Sequence, residues 1–539
     1  MNAKKKVWML FGSSLMLLIA LLVFFRVQLQ HTIAGSMVSE RQLENLKSSL
    51  NVAEDSRTAI LCNGEEIPYD KEQDVYYLPL TSLRHWMYEI KFSTSEGDME
   101  IYWCEDPYWK DLEAAIAEGH AFEFVATDHK AMKMGKMVFT GLPMLKLEKL
   151  ETLEEDYFYC KVTVLDPFHN NSGRYEITHC YGYYDLRGKT SRIFPKQGWN
   201  LDLVDEKGAQ FQMEMMGLRK DDDWKLNALY SDATKIKEMV CMDLWNEIAE
   251  TTESPYDAGT DMEYFELIVD KEYQGLYGMM EQIDYQQLSL NKEEDVLYKG
   301  YSWPEEDDRY VEDFTNRGHF NGQVIKPGNQ AITKETWQPV LEYIKATNFD
   351  YAKENADAEA LYEYAGKHMD LDNMLNIDLY IQALYASDNL YKNIYIAADR
   401  KSDGEYTLWK LPWDLNYTFG EDFLLEEDDR TIYNYEWAEE IMPDFMITEI
   451  LLESGNQEFA RVLNQKWQKL RNDILSTEHV RELAEGYREC LVSSGALSRD
   501  SKKWPKSPHE NSLESMLEFH ERRLIFLDGY YASFLNDSR

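Results

Sequence analysis

Residues 388–420 read DNLYKNIYIAADRKSDGEYTLWKLPWDLNYTFG. Tyr395 and Ile396 open a β-prone run, Ser402-Asp403-Gly404 is a turn signal, and Tyr406 to Leu411 form a second β-prone run. Folded as a hairpin about positions 403 and 404, the stretch brings Asn393 opposite Asp414, since each lies about ten residues from the turn. Antiparallel partners sit roughly 5 Å apart, so an amide oxygen and a carboxylate converge at the open end. Asp388 lies on the loop feeding the first strand. Three oxygen-bearing side chains at one mouth can hold a hard cation such as Mg²⁺ and orient a hydroxyl beside it.

The same order occurs in phosphoryl transfer. Protein kinases carry a catalytic-loop Asp, a metal-binding Asn shortly after it, a hairpin, and then a metal-binding Asp. Taken alone, the pattern is equally the ordinary chemistry of strand ends and turns, where Asp and Asn are common. The rest of the chain has to decide.

The chain has 539 residues, is 44% hydrophobic and 13% aromatic, and holds 36 Tyr and 14 Trp, a globular composition with room for roughly two to four domains. A formal charge of −42 speaks against nucleic-acid binding, because no basic surplus exists to displace counterions. It suits basic partners or divalent cations, or simply a well-solvated acidic surface. Val7 to Phe25 is an uncharged run of 19 residues preceded by Lys4, Lys5 and Lys6. Such a run spans a bilayer, and the lysines place the N-terminus in the cytoplasm with the bulk of the chain outside. The rival is a cleaved signal peptide, but the apolar core exceeds the usual ~7–15 residues, so an uncleaved anchor is expected. None of the six cysteines forms a C-x-x-C pair, which gives no support to structural zinc. Cys160 and Cys180 lie in adjacent β-prone runs, either as a disulfide or as separate buried thiols.

Along the chain, Ser39 to Ser56 is a polar, helix-prone stalk, and Thr58 to about Glu105 is a small β-rich module. A new unit begins near Met137, with strands at Tyr157–Leu165 and Arg174–Tyr184. The run YDLRGKTSRIFPKQGWNLDLV (184–204) reads as two β-prone segments around Arg187–Ser191, with Lys196 near the second. A loop with Gly and hydroxyls followed by a strand lysine can cover and neutralise phosphates, although an ordinary hairpin with an exposed lysine fits as well. Asp232 is placed to N-cap a helix whose apolar face is Ile236, Met239, Val240, Leu244 and Ile248. YFELIVDKEYQGLYGMMEQID (264–284) reads as a hairpin turning at Asp270–Glu272, its second strand running into Glu281 where the chain would cross between lobes. Ser302–Asn316 is an acidic inserted loop. A helix over Leu371–Ser387 delivers Asp388, and helices dominate after Gly420.

Together these pieces resemble a known family. LPMLKL (142–147), RGKTSRIFPKQGWNLDL (187–203), GLRKDDDWKLNALYSDATKIK (217–237), FELIVDKEYQGLYGMMEQID (265–284) with LYKG following, DNLYKNIYIA (388–397) and WKLPWDLNYTFG (409–420) are similar to the CotH-like family, named for the bacterial spore-coat protein H. Its members are atypical secretory-type protein kinases, and the likeness covers about residues 137–425. The resemblance implies ATP-dependent phosphorylation of protein Ser or Thr with Mg²⁺ or Mn²⁺. By it, Asp388 matches the catalytic Asp, Asp414 the metal-binding Asp, Asn393 the Asn after the catalytic loop, and Lys196 the phosphate-facing Lys. Arg187 opens the family's RGNS-like loop, and Glu281 ends its GlY-x-x-E run at the nucleotide cleft. Three departures stand out: Lys189-Thr190 in the loop, Asn416 where WDLD is usual, and Lys237 where an Arg is common.

The expected fold is α+β: an atypical bilobal kinase-like fold with a β-rich N-lobe and helical C-lobe. Expected boundaries are an anchor at 1–26, a stalk at 27–57, a β-rich module at 58–136, the kinase-like domain at 137–430 and a helical extension packed on the C-lobe at 431–539. The expected function is an outward-facing, membrane-anchored kinase acting on a basic, Ser/Thr-rich protein and binding no nucleic acid. A non-catalytic surface adhesion or scaffold protein keeping the same fold is the main alternative. A metal-dependent hydrolase ranks third, because no His or Cys set joins the carboxylates.

Overall fold

The structure is a computed structural model that describes residues 35–535 apart from 50, 53–59, 63, 81–91, 95–96, 99, 128–130, 170–176, 189, 252–258, 304–318, 321, 348–357, 425–429, 444 and 511. The expected anchor, most of the acidic loop, and Lys189 lie outside the described residues. Among the described residues, no helix is long and apolar enough to cross a membrane. The fold is a mixture of α and β, and the chain divides into two compact units. One takes the described residues up to Ala228 together with Glu263–Met279 and Cys490–Trp504; the other takes Leu229–Met262, Met280–Glu489 and the described residues from Pro505 onward.

The first unit opens with a seven-stranded sheet. Its strands are β1 (Ser36–Val38), β2 (Asn51–Val52), β3 (Tyr69–Asp70), β4 (Val75–Pro79), β5 (Glu100–Cys104), β6 (Ala121–Thr127) and β7 (Ala131–Thr140), ordered β1-β5-β6-β7-β4-β3 with β2 also on β7. The stalk helix exists, as α1 (Glu40–Ser49), but β1 pairs in parallel with β5, so the stretch around it is built into this module. The expected break at 136 also falls inside β7. That strand runs unbroken to Thr140, and the turn comes at Gly141–Pro143.

Next comes a closed barrel of β8 (Met144–Glu154), β9 (Tyr157–Leu165), β10 (Ile177–Leu186), β11 (Trp199–Val204), β12 (Asp223–Asn227), β13 (Met262–Val269) and β14 (Glu272–Glu281), in the order β8-β9-β10-β11-β12-β14-β13. Leu145, Leu147, Cys160, Val162, Leu201, Trp224, Phe265 and Met279 are buried in its core. Alternate residues face outward, as a half-buried strand requires. The 270–272 turn is as expected, with Asp270 and Lys271 both left-handed (φ 50 and 66), a conformation matched to strand twist in a tight hairpin. Cys160 pairs in register with Gly182 and Cys180 with Val162, a diagonal offset, and both are thiols here.

The second unit holds a five-stranded sheet of β15 (Val296–Gly300), β16 (His319–Phe320), β17 (Gln323–Ile325), β18 (Ile394–Arg400) and β19 (Tyr406–Pro412), ordered β16-β17-β15-β18-β19. Two helices position the candidate site: α2 (Lys237–Glu250) and α3 (Leu371–Leu384). α3 is N-capped by the Asp370 carboxylate and closed by Tyr385 in the left-handed region, so it ends at Leu384, four residues before Asp388, rather than delivering it directly. A 3₁₀ turn over Ser387–Asn389 carries Asp388. The late helix α4 (Glu514–Ser533) packs on α3: Arg523 is fully buried and donates to the Gln382 carbonyl and side chain at 2.7 and 2.6 Å. The segment Cys490–Trp504, within the expected extension, belongs to the first unit instead.

Candidate functional site

The hairpin at the centre of the sequence reading forms. Gly404 takes the left-handed conformation (φ 90) its turn needs and donates its N–H to the Lys401 carbonyl. Its register pairs Ile394 with Pro412, and the Trp413 N–H donates to the Asn393 carbonyl at 2.9 Å. Asn393 therefore faces Trp413, with Asp414 one residue beyond. The expected pairing was off by one because the turn is centred half a residue earlier than 403–404. Both Asn393 (φ 56) and Asp414 (φ 60) are left-handed, where short polar side chains are the best tolerated after glycine. Each strand thus ends by breaking its own direction at one of the candidate site residues.

Asn389 fastens this corner. It is fully buried, and its amide donates to the carbonyls of Asn393 at 3.0 Å and Trp413 at 2.7 Å, tying both strand ends to the 3₁₀ turn. The Asn393 N–H donates to the Gly300 carbonyl at 2.8 Å. Asp388 is held from two sides: Asn393 Nδ2 donates to its Oδ2 at 3.0 Å, and Lys392 Nζ lies 2.7 Å from its Oδ1. Burial raises the Asp388 pKa above the ordinary carboxylate value, and the Asp414 charge pushes the same way, while Lys392 and Asn393 pull it back. Asp388, Asn393 and Asp414 are thus gathered at one corner, as the sequence reading expected.

The segment carrying Asp414 is clamped by α2. The Leu415 N–H donates to Glu238 Oε1 at 3.1 Å, Lys237 Nζ pairs with Glu421 at 2.5 Å in the interior, and Cys241 Sγ meets Thr418 Oγ1 at 3.6 Å. Asp232 caps this helix from a distance: it is not the N-cap residue, yet its Oδ2 accepts the Lys237 N–H at 2.9 Å. Asn416, the departure from the family's Asp, donates to Ser231 Oγ at 3.2 Å. Lys392, Asn389 and Glu238 were not picked out from the sequence. Lys392 had a local signal, four residues from Asp388, whereas Glu238 acts across 177 residues of chain.

The corner fits a divalent cation. Among the described residues, no donor reaches the half-buried Asp414 carboxylate, and Asn393 spends its amide N–H on Asp388, leaving its oxygen to accept. Among the described residues, no group of three or more His, Cys, Asp or Glu forms a metal cage. A hard cation here would take its other ligands from nucleotide phosphates and water, the usual way of binding Mg²⁺.

Lys196 and Arg187 belong to the first unit. Lys196 precedes β11 rather than lying on it, because a 3₁₀ turn over Thr190–Ile193 takes up part of the second β-prone run. Its ammonium is sealed: Nζ donates to Asp500 Oδ1 at 2.7 Å and to the Leu276 carbonyl, and it lies 4.7 Å from the Tyr277 ring centre. Burial pulls its pKa down and Asp500 opposes this. Arg187 follows β10, its N–H donating to the Gly198 carbonyl at 2.9 Å. Beside it, Gly188 is left-handed (φ 93), a conformation that favours glycine. Glu281 is buried, its N–H donating to the Asp261 carbonyl at 3.1 Å, two residues past the point where the chain passes from one unit to the other.

No curated protein matches the chain. A family model described as CotH kinase protein matches residues 185–527, well over half of its length, and spans the 187–203 loop, α2, the 264–284 hairpin and the Asp388–Asp414 corner. The chain belongs to the CotH kinase family, a family of kinase-like proteins.

Proposed function

We propose that the protein is an ATP-dependent kinase that transfers the γ-phosphate to Ser or Thr hydroxyls of a basic protein, using Mg²⁺ or Mn²⁺. The observation that carries this reading is the Asp388–Asn393–Asp414 corner, in which one carboxylate is held by two donors while the other meets none among the described residues. Asp388 accepts the proton of the incoming hydroxyl, and its raised affinity for protons suits that role. Asn393 fixes the carboxylate through Nδ2, and its Oδ1 together with Asp414 would hold the cation. When bound, the divalent ion screens the charge on the phosphates. Lys392 must yield Oδ1 of Asp388 to the substrate; both side chains are part exposed, so the exchange costs little. Lys196 is matched to the phosphate-facing lysine and would have to leave Asp500 to reach a phosphate. Arg187 and Glu281 are assigned to the nucleotide by resemblance alone.

We place the chain at the cell membrane as a single-pass protein, with residues 1–26 as the cytoplasmic tip and anchor and the bulk outside. The uncharged run at Val7–Phe25 behind three lysines supports this. External protease should degrade the bulk of the chain on intact cells, and recovery of a soluble form starting near Gly35 would show a cleaved signal instead. The scaffold reading gains from the sealed Lys196–Asp500 pair, which occupies the lysine a kinase needs.

The deciding experiment incubates the full chain in detergent with labelled ATP, Mg²⁺ or Mn²⁺, and a Ser/Lys-rich protein, beside Asp414→Ala. Transfer by the wild type, with loss of metal-dependent nucleotide binding in the variant, is expected. A wild type that neither binds ATP nor transfers phosphate would sink the kinase reading in favour of the scaffold.

A further inference from the structure

The outer face of the barrel carries a feature the candidate site does not use. Tyr157 and Tyr159 on β9 and Tyr181 and Tyr183 on β10 point away from the core, because their neighbours Phe158 and Tyr184 pack toward it. The four rings form a continuous ladder: Tyr157–Tyr183, Tyr183–Tyr159 and Tyr159–Tyr181, with centroids 5.6, 5.4 and 5.8 Å apart. All four are half-buried, and among the described residues none of their hydroxyls has a hydrogen-bond partner. The rings use their faces on one another, which leaves edges and phenol oxygens turned outward.

Carboxylates flank the ladder on both sides. On β8, Glu151 pairs in register with Tyr159 and Glu154 with Tyr157, at the end of the strand where every residue from Leu150 is exposed. On the other side Tyr183 pairs with Asp202 of β11, which pairs in turn with Asp223 of β12, while Asp185 on β10 faces Tyr157. The lysines of the face are spent: Lys161 pairs with Glu65 at 3.3 Å and Lys225 with Asp223 at 2.7 Å. His179 also meets Glu65, at 3.1 Å, which closes off that end of the ladder. The carboxylate of Asp202 holds its proton up to about 6, through desolvation by its surroundings first and the Asp223 charge second.

We infer that this tyrosine ladder and its carboxylate rims form a docking site for an extended Lys- and Arg-rich polypeptide segment. Long apolar stems lie along ring edges, and cationic tips reach the phenol oxygens and rim carboxylates on either side. The charge complementarity is two-sided, in a chain whose formal charge is −42. A sugar platform would present open ring faces, and here the inner rings, Tyr159 and Tyr183, each pack against two neighbouring rings. Where the kinase reading holds, the site grips the substrate chain; the binding itself does not rest on that reading.

The test uses the full chain in detergent and a fluorescein-labelled octa-arginine peptide, followed by anisotropy at low and physiological salt. Tyr159→Ala/Tyr183→Ala and Glu151→Gln/Asp202→Asn should each weaken binding about tenfold, and Tyr159→Phe/Tyr183→Phe by less. Glu478→Gln/Glu482→Gln, which removes two exposed charges elsewhere, should leave it unchanged. The phenylalanine pair keeps the ladder and decides the matter if the alanine pair does not fold. Wild type without affinity for the peptide, equal weakening by the control pair, or Tyr-dependent binding of maltohexaose in place of the peptide would overturn the inference. Phosphate transfer to a short uncharged Ser peptide, measured on the same variants, should not change. A wild type that transfers phosphate but does not bind the peptide condemns the docking site alone, and a wild type that binds the peptide without any transfer condemns the kinase reading alone.

Discussion

Two lysine–aspartate pairs in this molecule share the same separation and differ in nearly everything else. Lys196–Asp500 in the first unit and Lys392–Asp388 in the second are both 2.7 Å apart. The side chains of the first pair are 0% exposed, and those of the second are 28% and 29% exposed. Asp500 Oδ1 also accepts the Leu276 N–H at 2.9 Å, and Gly275 is there because a Cβ would come within 2.3 Å of that oxygen. The preceding residue on the helix, Arg499, grips Glu266 through Nε and Nη2 at 2.8 and 2.7 Å, so the helix Ala496–Lys503 is bonded to the barrel by two buried ion pairs. Lys392 and Asp388 face partial solvent, and their attraction is screened. Contact distance therefore says little about what a pair does. The buried pair is a structural fastening whose partners cannot leave cheaply. The half-open one can exchange, as chemistry requires.

The largest expected effect follows from breaking the fastening. Asp500→Ala leaves a buried ammonium without its counter-charge and a buried backbone N–H without its acceptor, and should cost about 3–5 kcal/mol of stability in urea unfolding. Lys196→Met/Asp500→Leu, which removes both charges, should recover much of that loss. A single variant costing under about 1 kcal/mol, or a double variant worse than the single one, would show that the pair is not sealed in solution.

Next in size is Asp388→Ala. It should lower phosphate transfer about 10²–10⁴-fold while nucleotide binding persists, because in the proposed function this side chain meets the hydroxyl and not the nucleotide. Its melting temperature should stay close to wild type, in contrast to Asp500→Ala. Parallel loss of stability and transfer would erase the distinction between the two pairs.

The half of the comparison legible in the sequence is the local half. Asp388, Asn393, the turn at Gly404 and Asp414 lie within one hairpin, so spacing and turn chemistry brought them together to within one residue of register. The miss at Asn393 arose because register depends on how the turn closes, here through Lys401 and Glu405, which the residue types do not determine. Lys196 was found as a residue but not as a buried one. Its partner is 304 positions away, on a short helix that composition reads as part of a C-terminal tail. The loop expected over Arg187–Ser191 extends further: the β-formers Ile193 and Phe194 suggest a strand after Ser191, but the 3₁₀ turn runs on to Ile193 and the strand starts only at Trp199. The tyrosine ladder was written in the alternation of YFYCKV and HCYGYYD, yet the pairing of its rows depends on β9–β10 register.

A smaller effect concerns the lysine of the open pair. Lys392 lowers the Asp388 pKa, so Lys392→Met removes that influence and the pKa rises further. If Asp388 must be ionised to take the hydroxyl proton, the acidic limb of the pH–rate profile should move to higher pH, with transfer at the plateau retained. A limb that does not move, or moves to lower pH, would remove Asp388 from the titration that governs the rate.

The smallest effect tests whether Asp388 is kept for chemistry at a cost to the fold. Its pKa is raised in the folded state, chiefly by burial and then by Asp414. The folded chain therefore holds the proton more tightly than the unfolded chain does. The contribution of this group to stability is full below the unfolded carboxylate pKa, and it is lost as pH rises through the folded value. At neutral pH the ionised side chain is a net burden, even with Lys392 and Asn393 beside it. Asp388→Asn keeps the shape and removes the charge, so it should stabilise the protein at pH 7 by less than about 1 kcal/mol, since the group is part exposed. The gain should shrink as the pH falls below the ordinary carboxylate range, where the wild-type side chain is itself neutral. Urea midpoints for both proteins between pH 3 and pH 8 would trace the difference. A variant less stable than wild type at pH 7, or a gain independent of pH, would mean that Lys392–Asp388 is a fastening like Lys196–Asp500, and the contrast between the two pairs would fail.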